Sequence, residues 1–453
     1  MTGTINKINV GLEWLIRGRR KAFASRAQLE EWQHHKVLRF LKKTTRRSPA
    51  LRQRFTGIEP ERWRMIDPIG KTEMMATFDT LVTRPIDKRT AWETAVQAER
   101  DRVVGKFGSC SVGLSSGTSG SRGLFVVAPA EKARWAGAML GRVLGEERNG
   151  NHRIALLLRA NSGLYETLGS GRINFRYVDI LQPPDQWMNE LSAYDPSIIA
   201  APPSILRQLA EAQGNSPRAL SPRKIYGVAE VMDEADRACV KHAWGVPPLQ
   251  IYQATEGFLG ISGDENRLIL NEDLMVIEQE WIDKSRKLFA PVITDFSRVT
   301  QPIVRYRLDD VLEETDAGQW TPYRAVSRIH GRVTDLLRLK TREGTLVRVT
   351  GDMVSRAVLT ANTPPLDYEI IQEKSNELRV HVLWPAELSV DSARNLEHAL
   401  EASIHQWCER SGFARPLCHF FPLAPSRSPA IKYRRVRQRM DSTSSAEVRL
   451  AAR

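Results

Sequence analysis

Nine residues in the first third of the chain combine hydroxyl groups, glycines and an arginine. Residues 115–123 read SSGTSGSRG, with five hydroxyl side chains ahead of Arg122. Glycine lets a backbone turn sharply and approach a ligand closely, while N–H groups, hydroxyls and a guanidinium donate to phosphate oxygens. The apolar runs at 110–114 and 124–127 read as two short strands. The segment predicts a phosphate-binding loop between strands; a plain Ser/Gly linker is the alternative.

Three later segments carry residue types that suit nucleotide chemistry. Residues 251–257 read IYQATEG, 302–310 read PIVRYRLDD and 331–337 read GRVTDLL. Tyrosine offers a flat apolar platform, and a glutamate carboxylate is the hard oxygen ligand that Mg²⁺ prefers. A TEG triplet on its own is more typical of a helix N-cap than of a metal site. Its place in the ordered set favours the functional interpretation.

In this order the four segments resemble the motifs of the adenylate-forming superfamily of acyl-CoA synthetases, luciferases and peptide-synthetase adenylation domains. Within it the chain is most similar to phenylacetate–CoA ligases and deazaflavin-adenylating synthetases. A helix-rich lead-in at residues 28–79 supports that branch, as do APPSIL at 201–206, GVAE at 227–230 and NED at 271–273. The resemblance covers nearly the whole chain.

The resemblance implies an α/β fold, with a large layered α/β N-terminal domain and a small α+β C-terminal domain. We expect an adenylation domain at 1–332, including the helical lead-in, and a small mobile domain at 333–453 that ends in a disordered tail. The residue pattern independently predicts strands at 154–158, 177–181, 197–200 and 224–228. It predicts helices at 130–144, 204–212 and 233–243, and, in the small domain, a hairpin at 336–349 and a long helix at 392–409.

The resemblance also assigns roles to individual residues. Thr118 and Arg122 would contribute most to phosphate binding, and Thr255 would lie near the α-phosphate. Glu256, with Thr118, would hold Mg²⁺. The remaining nucleotide contacts are predicted at Ser115, Ser116, Gly117, Ser119, Gly120, Gly227, Val228, Ala229, Glu230, Tyr252, Asp310 and Arg332. Tyr252 would cover the adenine and Asp310 would bind the ribose, with Asp309 as a possible substitute.

A lysine near the C-terminus completes the predicted set. Residues 428–435 read SPAIKYRR and resemble the superfamily's PxxxGKxxR loop. Lys432 would bridge the reacting carboxylate and the α-phosphate, cancelling charge that develops in the transition state. The sequence departs from the pattern at Ile431, where glycine is usual, and at the hinge, where Thr334 precedes Asp335.

The activity implied by the resemblance is ATP- and Mg²⁺-dependent activation of an organic acid, aromatic or medium-sized, as its acyl-AMP. CoA or the thiol of an acidic acyl-carrier protein would then accept the acyl group. Acid specificity is predicted around Asn161, Tyr165, Pro203 and Ala229. One alternative is AMP transfer to a hydroxyl or phenol without a thioester. Another is a catalytically degenerate, basic binding protein.

Composition narrows the partners and the compartment. The net charge of +13 suits anionic ligands or an acidic partner, but no nucleic-acid module is recognisable, so we expect no nucleic-acid partner. No apolar run approaches the length of a membrane helix, and we expect no membrane partner. The N-terminus reads as an amphipathic helix without a secretory signal, which predicts a cytoplasmic protein. The four cysteines match no zinc pattern and predict no disulfide.

Overall fold

The computed structural model describes most of the chain as two units, Met1–Ile329 and His330–Arg453. The described residues are 2–101, 103–115, 122–145, 147, 150–158, 172–180, 182, 184–213, 220–263, 267–316, 321–333, 336–359, 361–385, 387–423 and 435–439. No helix in these ranges is both long and apolar enough to cross a membrane.

The first unit begins with helices, as the sequence predicts. They are α1 (Thr2–Arg17), α2 (Arg26–Thr44), α3 (Pro49–Arg54), α4 (Lys71–Ala76), α5 (Phe78–Leu81) and α6 (Lys88–Arg100), with a 3-10 helix at Pro60–Met65. The hydroxyl of Ser25 accepts a hydrogen bond from the Gln28 N–H and so caps α2. Helix α2 buries Leu29, Val37 and Leu41 completely, at the spacing of one helix face.

A small antiparallel sheet follows, and the predicted phosphate loop lies between two of its strands. The strands are β1 (Gly105–Phe107), β2 (Cys110–Leu114) and β3 (Leu124–Val127), in spatial order. Helix α7 (Pro129–Leu144) comes next and packs against α1. Gly18 and Gly141 let these two helices approach closely, because a Cβ atom on Gly141 would collide with the backbone of Gly18.

The large sheet has a parallel part and an antiparallel part. Its parallel strands are β4 (His152–Leu158), β5 (Ile173–Asp179), β6 (Ile198–Ala201), β7 (Lys224–Gly227) and β8 (Leu249–Ala254), interleaved with α8 (Pro184–Tyr194), α9 (Pro203–Gln213) and α10 (Glu234–Trp244). On β4, Ile154 and Leu156 face the core beside α7, while Ala155 and Leu157 face the core beside α8 and α9. Burial on both faces is the usual state of a parallel sheet.

The antiparallel part continues the same sheet. Its strands are β9 (Gly257–Ser262), β10 (Leu268–Leu270), β11 (Val276–Asp283), β12 (Leu288–Asp295), β13 (Ile303–Arg307), β14 (Asp310–Thr315) and β15 (Ala325–Arg332). The order across the sheet is β11-β12-β14-β15-β10-β9-β8-β7-β6-β4-β5, with β13 beside β12. The chain therefore reverses from parallel to antiparallel pairing at the turn between β8 and β9.

The second unit is an α+β module. It contains β16 (Leu337–Lys340), β17 (Leu346–Val349), α11 (Gly351–Leu359), β18 (Asp367–Lys374), β19 (Glu377–Leu383), α12 (Val390–Arg410), β20 (Leu417–Pro422) and β21 (Val436–Gln438). The sheet order is β20-β19-β18-β21. Leu400 and Ile404 of α12 are fully buried in the core of this unit. The predicted hairpin and long helix are confirmed, whereas β20 and β21 were not predicted.

Three consecutive buried polar residues, Asn271, Glu272 and Asp273, fasten the N-terminal helices to the large sheet. Their partners come from distant parts of the chain: Arg20, Arg26, Arg142 and Arg324. Both oxygens of Asp273 accept from Arg142 Nη2 at 2.8 Å. Glu272 accepts from Arg26 and Arg324 at 2.7 and 2.8 Å. The NED segment, which the sequence offered only as a mark of resemblance, is thus a structural junction.

Removing one carboxylate from this junction should cost much more stability than removing a surface carboxylate. Asp273→Ala leaves the nearly inaccessible Arg142 without its ion pair, and we expect a loss of about 3–5 kcal/mol in the free energy of unfolding. Glu211→Ala, which breaks the exposed Arg207–Glu211 pair, should cost less than about 1 kcal/mol. Urea denaturation of both variants measures the difference; equal losses would contradict the account.

Candidate active site

The two ends of the predicted phosphate loop are joined at its base. Ser115 N–H donates to the Gly123 carbonyl at 2.8 Å, and Gly123 N–H donates to Ser115 Oγ at 2.7 Å. Arg122 Nε donates to the Ser115 carbonyl at 3.0 Å, and the same guanidinium forms an ion pair with Glu99 of α6. Arg122 therefore helps to close the loop, and its contact with phosphate stays a prediction.

A two-residue turn between β8 and β9 presents Thr255 and Glu256. Glu256 Oε2 accepts from Thr255 Oγ1 at 2.8 Å. Glu256 is 8% exposed. Burial, and next the charge of Glu256, raise the pKa of Tyr306, which keeps that hydroxyl protonated. The carboxylate is thus oriented by one neutral hydroxyl donor and lies close to a second neutral hydroxyl, that of Tyr306.

Tyr252 and Asp310, assigned separately to adenine and ribose, lie together. The Tyr252 hydroxyl donates to Asp310 Oδ2 at 2.7 Å. Tyr252 is buried on β8, and Asp310 is the first residue of β14. This hydrogen bond to Asp310 favours Asp310 over Asp309 as the ribose-binding candidate.

The GVAE segment follows β7, at the same edge of the sheet as the β8–β9 turn. Strands β7 and β8 are parallel neighbours, and Gly227, the last residue of β7, pairs with Gln250, four residues before the end of β8. Residues after β7 therefore leave the sheet in the direction of the carboxyl edge, where open α/β sheets commonly bind ligands. Ala229 has a φ of 66°, a strained conformation for a residue with a Cβ atom. Glu230 accepts from the Ser204 hydroxyl at 2.6 Å. Strained residues are common at ligand sites, and the contact of this segment with a nucleotide stays a prediction.

Residues 295–301, which run from the last residue of β12 towards β13, were missed by the sequence analysis. Arg298 Nη1 donates to the Thr255 carbonyl at 2.7 Å. Gln301 pairs with the backbone of β3, because its Oε1 accepts from Val126 N–H and its Nε2 donates to the Leu124 carbonyl, both at 3.0 Å. We call residues 295–301 the clamp loop, since it ties the β8–β9 turn to the strand that leaves the phosphate loop.

Helix α7 holds the clamp loop from the other side. Glu131 Oε1 accepts from the backbone N–H groups of Val299 and Thr300, each at 2.7 Å. Ser297 N–H and its hydroxyl donate to Asp295, whose pKa is raised by complete burial. The polar residues of the clamp loop give no periodic signal in the sequence, so a search for hydrophobic patterns could not have found them.

Several predicted site residues lie outside the described residues. They are Ser116, Gly117, Thr118, Ser119, Gly120, Asn161, Tyr165, Thr334, Asp335, Ile431 and Lys432. Arg332 ends β15, and its Nη1 is buried without a hydrogen-bond partner among the described residues. The roles of all these residues stay predictions.

The cysteines of the second unit are poor metal ligands as they stand. Burial raises the pKa of Cys408 and of Cys418 to about 12, so both thiols are protonated at neutral pH. Cys418 lies near Glu401 and His405, but His405 Nε2 is engaged with the Pro416 carbonyl at 2.8 Å. These residues therefore form a hydrogen-bonded cluster within the second unit.

Comparison with solved structures extends over nearly the whole chain. A 2-hydroxyisobutyryl-CoA ligase, solved in the postadenylation state with 2-HIB-AMP, matches with a TM-score of 0.71 at 14% identity, over 92% of this chain and 91% of that one. The chain has the fold of adenylate-forming ligases. The predicted large α/β and small α+β architecture is thereby confirmed.

Two further solved structures share this fold. The GH3.15 acyl acid amido synthetase matches with a TM-score of 0.61 at 14% identity, over 91% of this chain and 92% of that one. The amide bond synthetase McbA from Marinactinospora thermotolerans matches with a TM-score of 0.50 at 14% identity, over 71% and 67%. No known family profile matches the sequence, and no curated protein matches it.

The hydrogen bonds of Gln301 should be needed for an ordered β3. Gln301→Met keeps the size of the side chain but leaves Val126 N–H and the Leu124 carbonyl unpaired in the core. We expect faster amide hydrogen exchange in peptides that cover β3, with exchange in β4 unchanged. Gln213→Met is a matched control, because Gln213 makes the same two bonds with Leu220 alone.

The control variant should change exchange around Leu220 and leave β3 as it is. Wild-type exchange of β3 in Gln301→Met would show that the clamp loop does not hold that strand.

Proposed function

We propose that this protein is an ATP- and Mg²⁺-dependent ligase that activates an organic carboxylic acid as its acyl-AMP. The observation that carries the proposal is the pairing of Tyr252 with Asp310, beside the Thr255–Glu256 turn, within this fold. Solved proteins of the same fold include a ligase bound to 2-HIB-AMP and amide-forming synthetases. A shared fold alone leaves the substrate open, so the residues must support the chemistry.

The reaction needs positioned charge and little covalent help from the protein. A carboxylate oxygen of the acid attacks the α-phosphorus of ATP, the bond from that phosphorus to the β-bridging oxygen breaks, and pyrophosphate leaves. In-line positioning and electrostatic stabilisation supply most of such catalysis. Arg122 and the loop hydroxyls would bind the phosphates that depart, and Lys432 would neutralise the charge on the transferred group.

The residues at the β8–β9 turn fit a magnesium ion. Glu256 offers hard carboxylate oxygens, and the neutral hydroxyl of Thr255 orients it. A hydroxyl donor leaves the carboxylate free to bind a metal. Bound Mg²⁺ would neutralise phosphate charge as pyrophosphate forms. Arg298 fixes the carbonyl of Thr255 at 2.7 Å and so positions the same turn.

The nucleotide would lie along the carboxyl edges of β7 and β8. Tyr252 would cover one face of the adenine, and the backbone of residues 227–230 would cover the other. Asp310, whose Oδ2 accepts from Tyr252, would accept the ribose hydroxyls. The acyl acceptor is proposed to be a thiol, as in the ligase of this fold solved with both 2-HIB-AMP and CoA.

An ATP–pyrophosphate exchange assay over a panel of aryl and short aliphatic acids tests the proposal. We expect exchange that requires both Mg²⁺ and one class of acid. With the matching acid, release of AMP should accelerate when CoA is added. Acid-independent release of pyrophosphate, or no exchange with any acid, would contradict acid activation. Acceleration by amines in place of CoA would assign the acceptor to the amide-forming type.

Tyr306 should affect turnover more than stability. Tyr306→Phe removes a buried hydroxyl close to Glu256 and keeps the ring, so we expect exchange to fall about tenfold, or about 1.4 kcal/mol. Tyr226→Phe is the matched control, because Tyr226 lies on β7 and its buried hydroxyl donates to the Val143 carbonyl at 3.0 Å. Both variants should stay folded, and only Tyr306→Phe should lose exchange. Equal exchange activity in the two variants would show that Tyr306 is not part of the site.

A further inference from the structure

A pocket lined by basic residues lies on the first unit among α1, α2, α7 and the clamp loop. Its volume is about 270 Å³. The cations that line it are Arg17, Lys36, Arg39, Lys43 and Arg134, and its apolar walls come from Trp32, Phe40, Phe296 and Val299. We call it the basic pocket. Lys36, Arg39 and Lys43 share one face of α2, at the spacing i, i+3 and i+7.

The positive charge of the basic pocket is only partly neutralised. Glu13 lies 2.6 Å from Arg17 and 3.6 Å from Arg134, and none of the described residues that line the pocket carries a carboxylate. Burial, then the charges of Arg39 and Arg17, lower the pKa of Lys36. Like charges that are only partly balanced attract an anion with several negative groups.

An exposed apolar surface lies on α1, the helix that contributes Arg17 to this pocket. Leu12, Leu15 and Ile16 of α1 are 55%, 76% and 62% exposed. Their spacing puts them on one face of the helix, opposite the face on which Trp14 and Gly18 meet α7. Arg17 follows Ile16, is turned from it by about 100° around the helix axis, and lines the basic pocket. We call the three residues the apolar ridge.

We propose that the basic pocket and the apolar ridge together bind an anionic phospholipid surface. Headgroup phosphates would lie among Lys36, Arg39 and Lys43, and the apolar ridge would enter the boundary between headgroups and acyl chains. Amphipathic helices with a basic flank bind membranes in this way. Peripheral binding of this type departs from the sequence-based expectation of no membrane partner, which rested on the lack of a spanning segment.

The apolar ridge is what favours lipid over other anions. Nucleic acid or a soluble polyphosphate would use the cations but leave the three large aliphatic side chains in water. Trp32 supports the same choice, because tryptophan is enriched where apolar and wet phases meet. Its ring carries Lys36 Nζ at 5.2 Å from the centroid. The proposal places the protein at a membrane surface and does not depend on the proposed ligase activity.

Vesicle co-sedimentation of the full chain tests the proposal. The probes are vesicles of phosphatidylcholine alone and vesicles with roughly one quarter phosphatidylglycerol. We expect binding to the anionic vesicles only. Binding should fall at least about tenfold in Lys36→Glu/Arg39→Glu/Lys43→Glu, because attraction to anionic lipid becomes repulsion. Binding by Leu12→Gln/Leu15→Gln/Ile16→Gln should fall by a similar factor, and glutamine should maintain the helix.

A matched charge control separates the site from net charge. Arg89→Glu/Arg100→Glu/Lys106→Glu changes the net charge equally at exposed positions and should bind anionic vesicles much as the wild type does. Circular dichroism confirms that each variant is folded. Equal binding by all variants, or by the ridge variant and the wild type, would overturn the proposal. So would binding of inorganic tripolyphosphate without vesicle binding, which would indicate a soluble phosphate ligand.

Discussion

The bond from Arg298 to the carbonyl of Thr255 is the contact on which the candidate site depends. It ties the clamp loop to the β8–β9 turn, at the place where the large sheet changes from parallel to antiparallel pairing. The same loop holds β3 through Gln301 and is held by Glu131 of α7. One loop thus fixes the exit of the phosphate loop relative to the residues proposed to bind magnesium and nucleotide.

The electrostatics of the turn follow from how Glu256 is held. A buried carboxylate is costly unless it is hydrogen-bonded or paired with a cation. Among the described residues the hydrogen bond that Glu256 accepts comes from the hydroxyl of Thr255, which orients the carboxylate without neutralising it. The structural junction at Asn271–Asp273 shows the opposite arrangement, because arginines neutralise its carboxylates. The turn is proposed to bind a ligand through an oriented carboxylate, whereas the junction uses neutralised carboxylates for stability.

The sequence predicted the elements better than the contacts. Hydrophobic periodicity and apolar runs in the sequence located β4, β6, β7 and α10 closely, because the apolar side chains of these elements face buried layers. Tyr252 and Asp310 were identified singly from motifs, and their mutual hydrogen bond required the fold. Arg298 and Gln301 could not be found, since they bond to residues 43 and 175 positions away. Arg122 was expected at phosphate, and its pairing with Glu99 depends on α6 packing against β2.

The most direct test of acyl-AMP formation, the central claim, traces a labelled carboxylate oxygen of the acid through the reaction. If the enzyme forms an acyl-AMP, one carboxylate oxygen of the acid becomes the bridge to the α-phosphorus and stays on AMP when the acyl group is transferred. With acid labelled in its carboxylate by a heavy oxygen isotope, mass spectrometry should find one labelled oxygen in each AMP released. Unlabelled AMP, with the label retained in the acid, would mean that the carboxylate never attacks ATP and would contradict the account.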